Sequence, residues 1–228
     1  MEENKLTEKK SVSIAQFKEE PILTNWTYYT TKNGNITKQP LSKVNDSTTW
    51  VTYREANNRA KWSKETMGVG IIFAPHSSGL AICGIDIDAH HVDTNPLSAE
   101  ILAMFSDTYI EQSPSGKGYH ILFLAELNRI PKSYKQIYKQ KNSELDVECY
   151  ISGMTNRYFT FTGNQKSKGN SLIDKTDTLL EFLNKYMSFS SSPVSSDIQF
   201  KLTEKRAYPT AIDVPQRLEI ALNARNGN

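Results

Sequence analysis

The sequence predicts an α+β domain with a mixed or antiparallel sheet, on three observations. Short apolar, β-branched runs recur along the chain, two of them are joined by an Asn-Gly turn, and the helical segments between them are few and interspersed. That pattern does not follow the regular strand–helix alternation of a doubly wound parallel sheet. At 228 residues the chain has room for one sizeable domain plus a tail or a small second unit.

Residues 1–20 are expected to form a flexible N-terminal tail, polar and charged through about Lys10. From Trp26 the pattern turns to strand: Trp26 to Thr31, then Lys32-Asn-Gly-Asn35, then Ile36 to Gln39, with Pro40 as the stop. Asn-Gly between β-formers is the strongest short-range hairpin signal. Thr52-Tyr-Arg-Glu55 is a capping box and opens a helix through about Lys64. Gly68 to Ala74 is a strand, joined through Ser77-Ser-Gly79 to a second strand, Leu80 to Asp88. Asn95-Pro96 starts a helix that runs to about Phe105, with Asn as cap and Pro in the first turn. Thr108 to Gln112 and Tyr119 to Ala125 are strands around the loop Ser113-Pro-Ser-Gly-Lys-Gly118, and Asp146 to Ile151 and Tyr158 to Thr162 are two more. Asp174 caps a helix reaching about Met187. The domain therefore spans 21–187; a Ser/Pro linker follows over 188–199, and a helical region begins in 200–228.

Composition narrows the class. A hydrophobic fraction of 38% fits a folded chain, and 11 Tyr against 3 Trp leave amphipathic rings able to stack on bases. The formal charge of +2 advertises no nucleic-acid partner globally, so such a surface must come from local clustering. Cys83 and Cys149 sit inside apolar strand patterns and read as reduced core residues. With no stretch of transmembrane length and no signal peptide, the expectation is a cytoplasmic protein with no membrane partner.

Four segments carry chemistry. In Gly84-Ile-Asp-Ile-Asp88 the alternation of a strand puts Asp86 and Asp88 on one face and Ile85 and Ile87 on the other. Paired carboxylates repel unless a cation lies between them, and oxygen donors suit Mg²⁺ or Mn²⁺. In Ser113 to His120, Gly116 and Gly118 let backbone N–H groups approach an anion, while Ser115 and Lys117 can touch phosphate oxygens. This is not a Walker loop, because the spacing differs and a strand follows it. Asp146-Val-Glu148 offers a third metal carboxylate from either residue. Arg157, at the head of Tyr158 to Gly163, can hold a triphosphate by paired hydrogen bonds. Each segment alone also has a plainer reading: a solvated strand end, a glycine hairpin, an exposed polar face, a strand ion pair. Arg129, Lys132, Lys135, Lys139 and Lys141, interleaved with Tyr134 and Tyr138, form an acid-free cluster suited to single-stranded nucleic acid, or a solvated helix face. The neighbouring His90 and His91 carry no comparable signal.

The order Asp-x-Asp, Ser-x-Gly-Lys-Gly-Tyr-His and a strand Glu before Arg-Tyr-Phe-Thr-Phe-Thr-Gly resembles the primase-polymerase (PrimPol) branch of the archaeo-eukaryotic primase superfamily, of phage and plasmid replication type. The resemblance runs from about Trp26 to Tyr186 and takes in Thr49-Trp-Val-Thr52 and Gly68-Val-Gly70. It implies an RRM-like mixed or antiparallel sheet with packed helices plus a small α/β subunit. It also implies a template-directed nucleotidyltransferase, a DNA primase or DNA polymerase, joining NTPs or dNTPs on a single-stranded DNA template. Asp86, Asp88 and Glu148 would bind two ions, Mg²⁺ or Mn²⁺, with Asp146 as rival to Glu148. His120 would hold the nucleotide's phosphates, supported by Ser115, Gly116, Lys117, Gly118 and Arg157. A helicase domain or partner would lie C-terminal to this chain, which is then expected to be an N-terminal piece of a longer protein. Two other functions share some of these residues: a binding module that has lost catalysis, and a metal-dependent nuclease.

Overall fold

Two antiparallel sheets face one another across an aromatic layer, in a computed structural model that describes residues 10–88, 96–131, 141–142 and 145–187. The chain is α+β, and every strand pair within the sheets is antiparallel. The first sheet holds β2 (Leu23–Thr30), β3 (Ile36–Pro40), β4 (Gly68–Ile72) and β10 (Tyr158–Phe161), in the order β10-β4-β2-β3. The second holds β5 (Ala81–Ile87), β6 (Tyr109–Gln112), β7 (Tyr119–Ala125), β8 (Lys141–Asn142) and β9 (Val147–Ile151), in the order β6-β7-β5-β9-β8.

Local chemistry accounts for most boundaries. The β2–β3 turn closes at Asn33-Gly34, where Gly34 takes a φ of 81° that a side chain would resist. In α2 (Tyr53–Trp62) the Thr52 side chain accepts the Glu55 N–H and the Glu55 carboxylate accepts the Thr52 N–H, the reciprocal cap the sequence predicts. α3 (Pro96–Met104) starts at the expected proline; Asn95, its expected cap, lies outside the described residues. For α4 (Thr176–Phe182), Asp174 accepts the Thr176 N–H at 3.0 Å, and a π-helical turn, Leu183–Met187, carries the chain on.

One boundary is corrected. The chain is folded from about residue 10, not from 21: β1 (Ser11–Ser13) pairs with β11 (Ser171–Ile173), and α1 (Ile14–Glu19) follows with its own Ser13–Gln16 capping box. Val12, Ile14 and Phe17 are buried among the first sheet's core residues, so an apolar triad within a polar segment anchors the N-terminal end. The linker over 188–199, the region over 200–228 and residues 1–9 lie outside the described residues.

The second sheet is covered on both faces. Alternation sends Cys83, Ile85 and Ile87 to one side, where they pack with Ile101 of α3, Phe105 just after it, and Leu179 and Phe182 of α4. Ile82, Leu122 and Leu124 go to the other, against Ile71 and Phe159 of the first sheet and Phe73 just beyond β4. Cys83 and Cys149 are buried and unbridged, and burial pushes the Cys83 thiol up to about 12. Among the described residues no helix is long and apolar enough to cross a membrane.

Candidate functional site

A single row of polar side chains crosses the second sheet at one end of its otherwise apolar inner face. Asp86 on the central strand β5 lies opposite His120 of β7 on one side and opposite Glu148 of β9 on the other. The row continues outward, with Glu111 of β6 opposite His120 and Lys141 of β8 opposite Glu148. Residues directly opposite on antiparallel strands share a face, so five strands deliver one Glu-His-Asp-Glu-Lys line. Its next rung is acidic too: Asp88 donates its N–H to the carbonyl of Asp146 at 2.9 Å. Asp86, Asp88, Glu148 and Asp146 thus form two facing pairs.

Glu111 is fully buried and meets only donors. Its carboxylate accepts the Thr162 N–H and the Gly163 N–H at 2.9 Å each, the Tyr109 hydroxyl at 3.2 Å and His120 Nδ1 at 3.0 Å. An acceptor-only group at Nδ1 places the ring proton there and leaves Nε2 facing Asp86, 3.7 Å from its Oδ1. The His120 ring also stacks on Phe159, with centroids 4.8 Å apart. Burial pushes the Asp86 carboxyl up to about 6 against the opposing pull of His120.

At the other end the carboxylates surround an ammonium. Lys141 Nζ stands 3.6 Å from Glu148, 3.8 Å from Asp88 and 3.9 Å from Asp146. Glu148 also accepts the Tyr150 hydroxyl. Asp146 holds a φ of 50°, unusual for a residue with a side chain, at the turn that brings it beside Asp88. Among the described residues no three His, Cys, Asp or Glu side chains stand ready to coordinate one ion as placed. The donor set nevertheless suits a hard cation: it is all oxygen, partly exposed, and already gathered around one positive charge.

A cleft of about 350 Å³ opens beside the row. Asp86, His120 and Tyr150 line it from the second sheet; Lys38, Arg157, Tyr158 and Thr160 line it from the first. Gly84 makes this closeness possible. A Cβ there would stand 2.6 Å from the Phe159 ring and 2.9 Å from the Phe73 ring, so only glycine lets these rings lie against β5 beneath Asp86.

The glycine loop behaves otherwise than expected. It sits at the same end of the sheet, since Tyr119 pairs with Ile87, but its backbone donors turn inward. Gly116 N–H goes to the Ser113 carbonyl, Lys117 N–H to Ser115 Oγ, and Gly118 N–H to Ser113 Oγ. Gly118 is there for packing, because a Cβ would stand 2.3 Å from the Ile87 carbonyl oxygen. Ser115 and Lys117 do not line the cleft, whereas Arg157 does.

Of the basic cluster, Arg129 pairs with Asp177 on the surface and Lys141 serves the carboxylates. Lys132, Tyr134, Lys135, Tyr138 and Lys139 lie outside the described residues, as do His90 and His91. Sequence reasoning missed Glu111, Lys38 and Tyr150, and it placed Lys141 on a nucleic-acid surface. Glu111 is the penultimate residue of the strand Tyr109–Gln112, two residues before the glycine loop, and only the β6–β7 register reveals its partner. Compared with known proteins, the chain matches no family model and no curated protein.

Proposed function

We propose that the chain is a template-directed nucleotidyltransferase, a DNA primase, a DNA polymerase or both, with the archaeo-eukaryotic primase fold in its primase-polymerase form. One observation carries the reading: Glu148 and His120 flank Asp86 in register, and Asp86 and His120 line a cleft that also holds Arg157 and Lys38. Asp86, Asp88 and Glu148 would hold Mg²⁺ or Mn²⁺, with Asp146 directly behind Asp88. When bound, such ions make a 3′-hydroxyl a better nucleophile and neutralise charge on the triphosphate.

The chain's own residues do the rest. Glu111 holds the His120 ring so that Nε2 faces the cleft wall, where the doubly protonated ring can donate from Nε2 to a phosphate oxygen. Arg157 and Lys38 supply further positive charge from the opposite wall, Arg157 with the geometry for paired bonds to one phosphate. Lys141 keeps the carboxylates from repelling one another until an ion takes its place. On this reading the two antiparallel sheets, with helices behind the second, would be the RRM-like sheet and accompanying unit of that fold.

The test is nucleotide incorporation on single-stranded DNA, with labelled NTPs or dNTPs, each metal in turn, with and without a primer. Template-dependent products that need a divalent ion are expected. Shortening of the template with no product longer than the primer would instead make the site a nuclease.

A further inference from the structure

The β2–β3 hairpin presents a surface of which the proposed chemistry uses only Lys38, at its cleft edge. Strand register puts Trp26 opposite Pro40, Tyr28 opposite Lys38 and Thr30 opposite Ile36, all on one face of the first sheet. Trp26 is the anchor. It is buried, its indole lies over Gly68, where a Cβ would stand 2.9 Å from Nε1, and it meets the Tyr28 ring edge to face with centroids 5.4 Å apart. Lys38 Nζ lies 5.7 Å from the Trp26 ring centroid. Outward from that anchor the side chains are open: the Tyr28 ring is 54% exposed and the aliphatic Ile36 71%.

Charge points the same way. From Trp26 to Val44 the sequence holds Lys32, Lys38 and Lys43 and no acidic residue. An exposed ring with a lysine directly across from it, in an acid-free segment, fits a base stacked on the ring and a phosphate at the ammonium. A partner strand added to the edge strand β3 would fit worse, because Lys38 and Pro40 both oppose edge pairing. The surface is continuous with the cleft, since Lys38, Pro40 and Val44 also line it.

We propose that this hairpin face, with Tyr28 as the stacking ring and Lys38 as the phosphate contact, guides single-stranded DNA into the cleft beside Asp86. The role as template guide rests on the nucleotidyltransferase reading; the binding surface itself does not.

The experiment is fluorescence anisotropy of a labelled oligo-dT strand with the full chain, across a salt series. Tyr28→Ala and Tyr28→Leu should each weaken binding roughly ten- to a hundredfold, while Tyr28→Phe, which keeps the ring, should bind like wild type. Lys38→Gln should flatten the slope of log affinity against log salt by about 0.7, as expected for one lost single-strand phosphate contact. Unchanged affinity in Tyr28→Ala and Tyr28→Leu overturns the proposal, as does a wild-type chain that binds no DNA. Incorporation assays separate the two ideas. DNA binding that depends on Tyr28 in a chain that adds no nucleotide leaves the surface standing and removes the polymerase reading. Incorporation with binding indifferent to Tyr28 does the reverse.

Discussion

Glu111 and Glu148 stand in the same cross-strand row, on opposite sides of Asp86, and their surroundings differ in every respect. Glu111 is sealed, with four donors around it and no solvent. Glu148 is 17% exposed and shares one lysine with two other carboxylates. A buried carboxylate whose bonds are all made has no capacity for a ligand; it holds its neighbours in place. A partly open group of like charges around a single ammonium is held together loosely, and a small cation could replace that ammonium. The same residue type is therefore a positioning device at one end of the row and a candidate ligand at the other.

Substitutions at the open end test that contrast hardest. Asp86→Ala or Asp88→Ala should reduce nucleotide incorporation on the order of 10³-fold or more, the several kcal/mol that a bound cation contributes. Neither should lower the thermal midpoint, because each removes a charge from a repelling set. Undiminished incorporation by Asp88→Ala would remove it from the metal site. At the sealed end the balance should invert. Glu111→Gln puts an amide N–H₂ against N–H donors and should cost roughly 3 kcal/mol of stability, about 6–12 °C in a melting scan. A Glu111→Gln protein as stable as wild type would erase the distinction between the two ends.

Asp86 predicts a pH effect of smaller size. Its carboxyl is raised from 3.8 to about 6, so between those values the folded chain keeps a proton that the unfolded chain has released. Stability from this group is therefore present at the acid side and lost as pH rises through about 6, by at most on the order of 3 kcal/mol. Urea denaturation in chelator-containing buffer at several pH values measures this, and Asp86→Asn should have a flatter profile. Equal slopes in the two proteins would contradict it. The smallest effect is expected for Lys141→Gln. With the competing ammonium gone, Mn²⁺ affinity measured by calorimetry should rise several-fold, and a fall would mean that Lys141 supports the site in some other way.

Much of this was legible before any coordinates, because the signals are local. The Asn33-Gly34 turn, the Thr52–Glu55 capping box and the Pro96 helix start each depend on a few adjacent residues, and each is where it was expected. The Asp86 strand and the Glu148 strand were likewise readable from alternation. The N-terminal boundary was not, since Val12, Ile14 and Phe17 only show their value once β1 meets β11 across most of the chain.

Sequence alone determined the longer strands and which of them carry charge, because backbone preference and side-chain alternation act over a few residues; the two- and three-residue strands β1, β8 and β11 carry too little pattern to be read that way. It did not determine which charges meet. Register between strands distant in the chain set Glu111 against His120 and Lys141 against Glu148, and the approach of the two sheets over Gly84 placed Arg157 and Lys38 on the cleft opposite Asp86. Those choices belong to packing, where burial of side chains far apart in sequence decides which partners become neighbours.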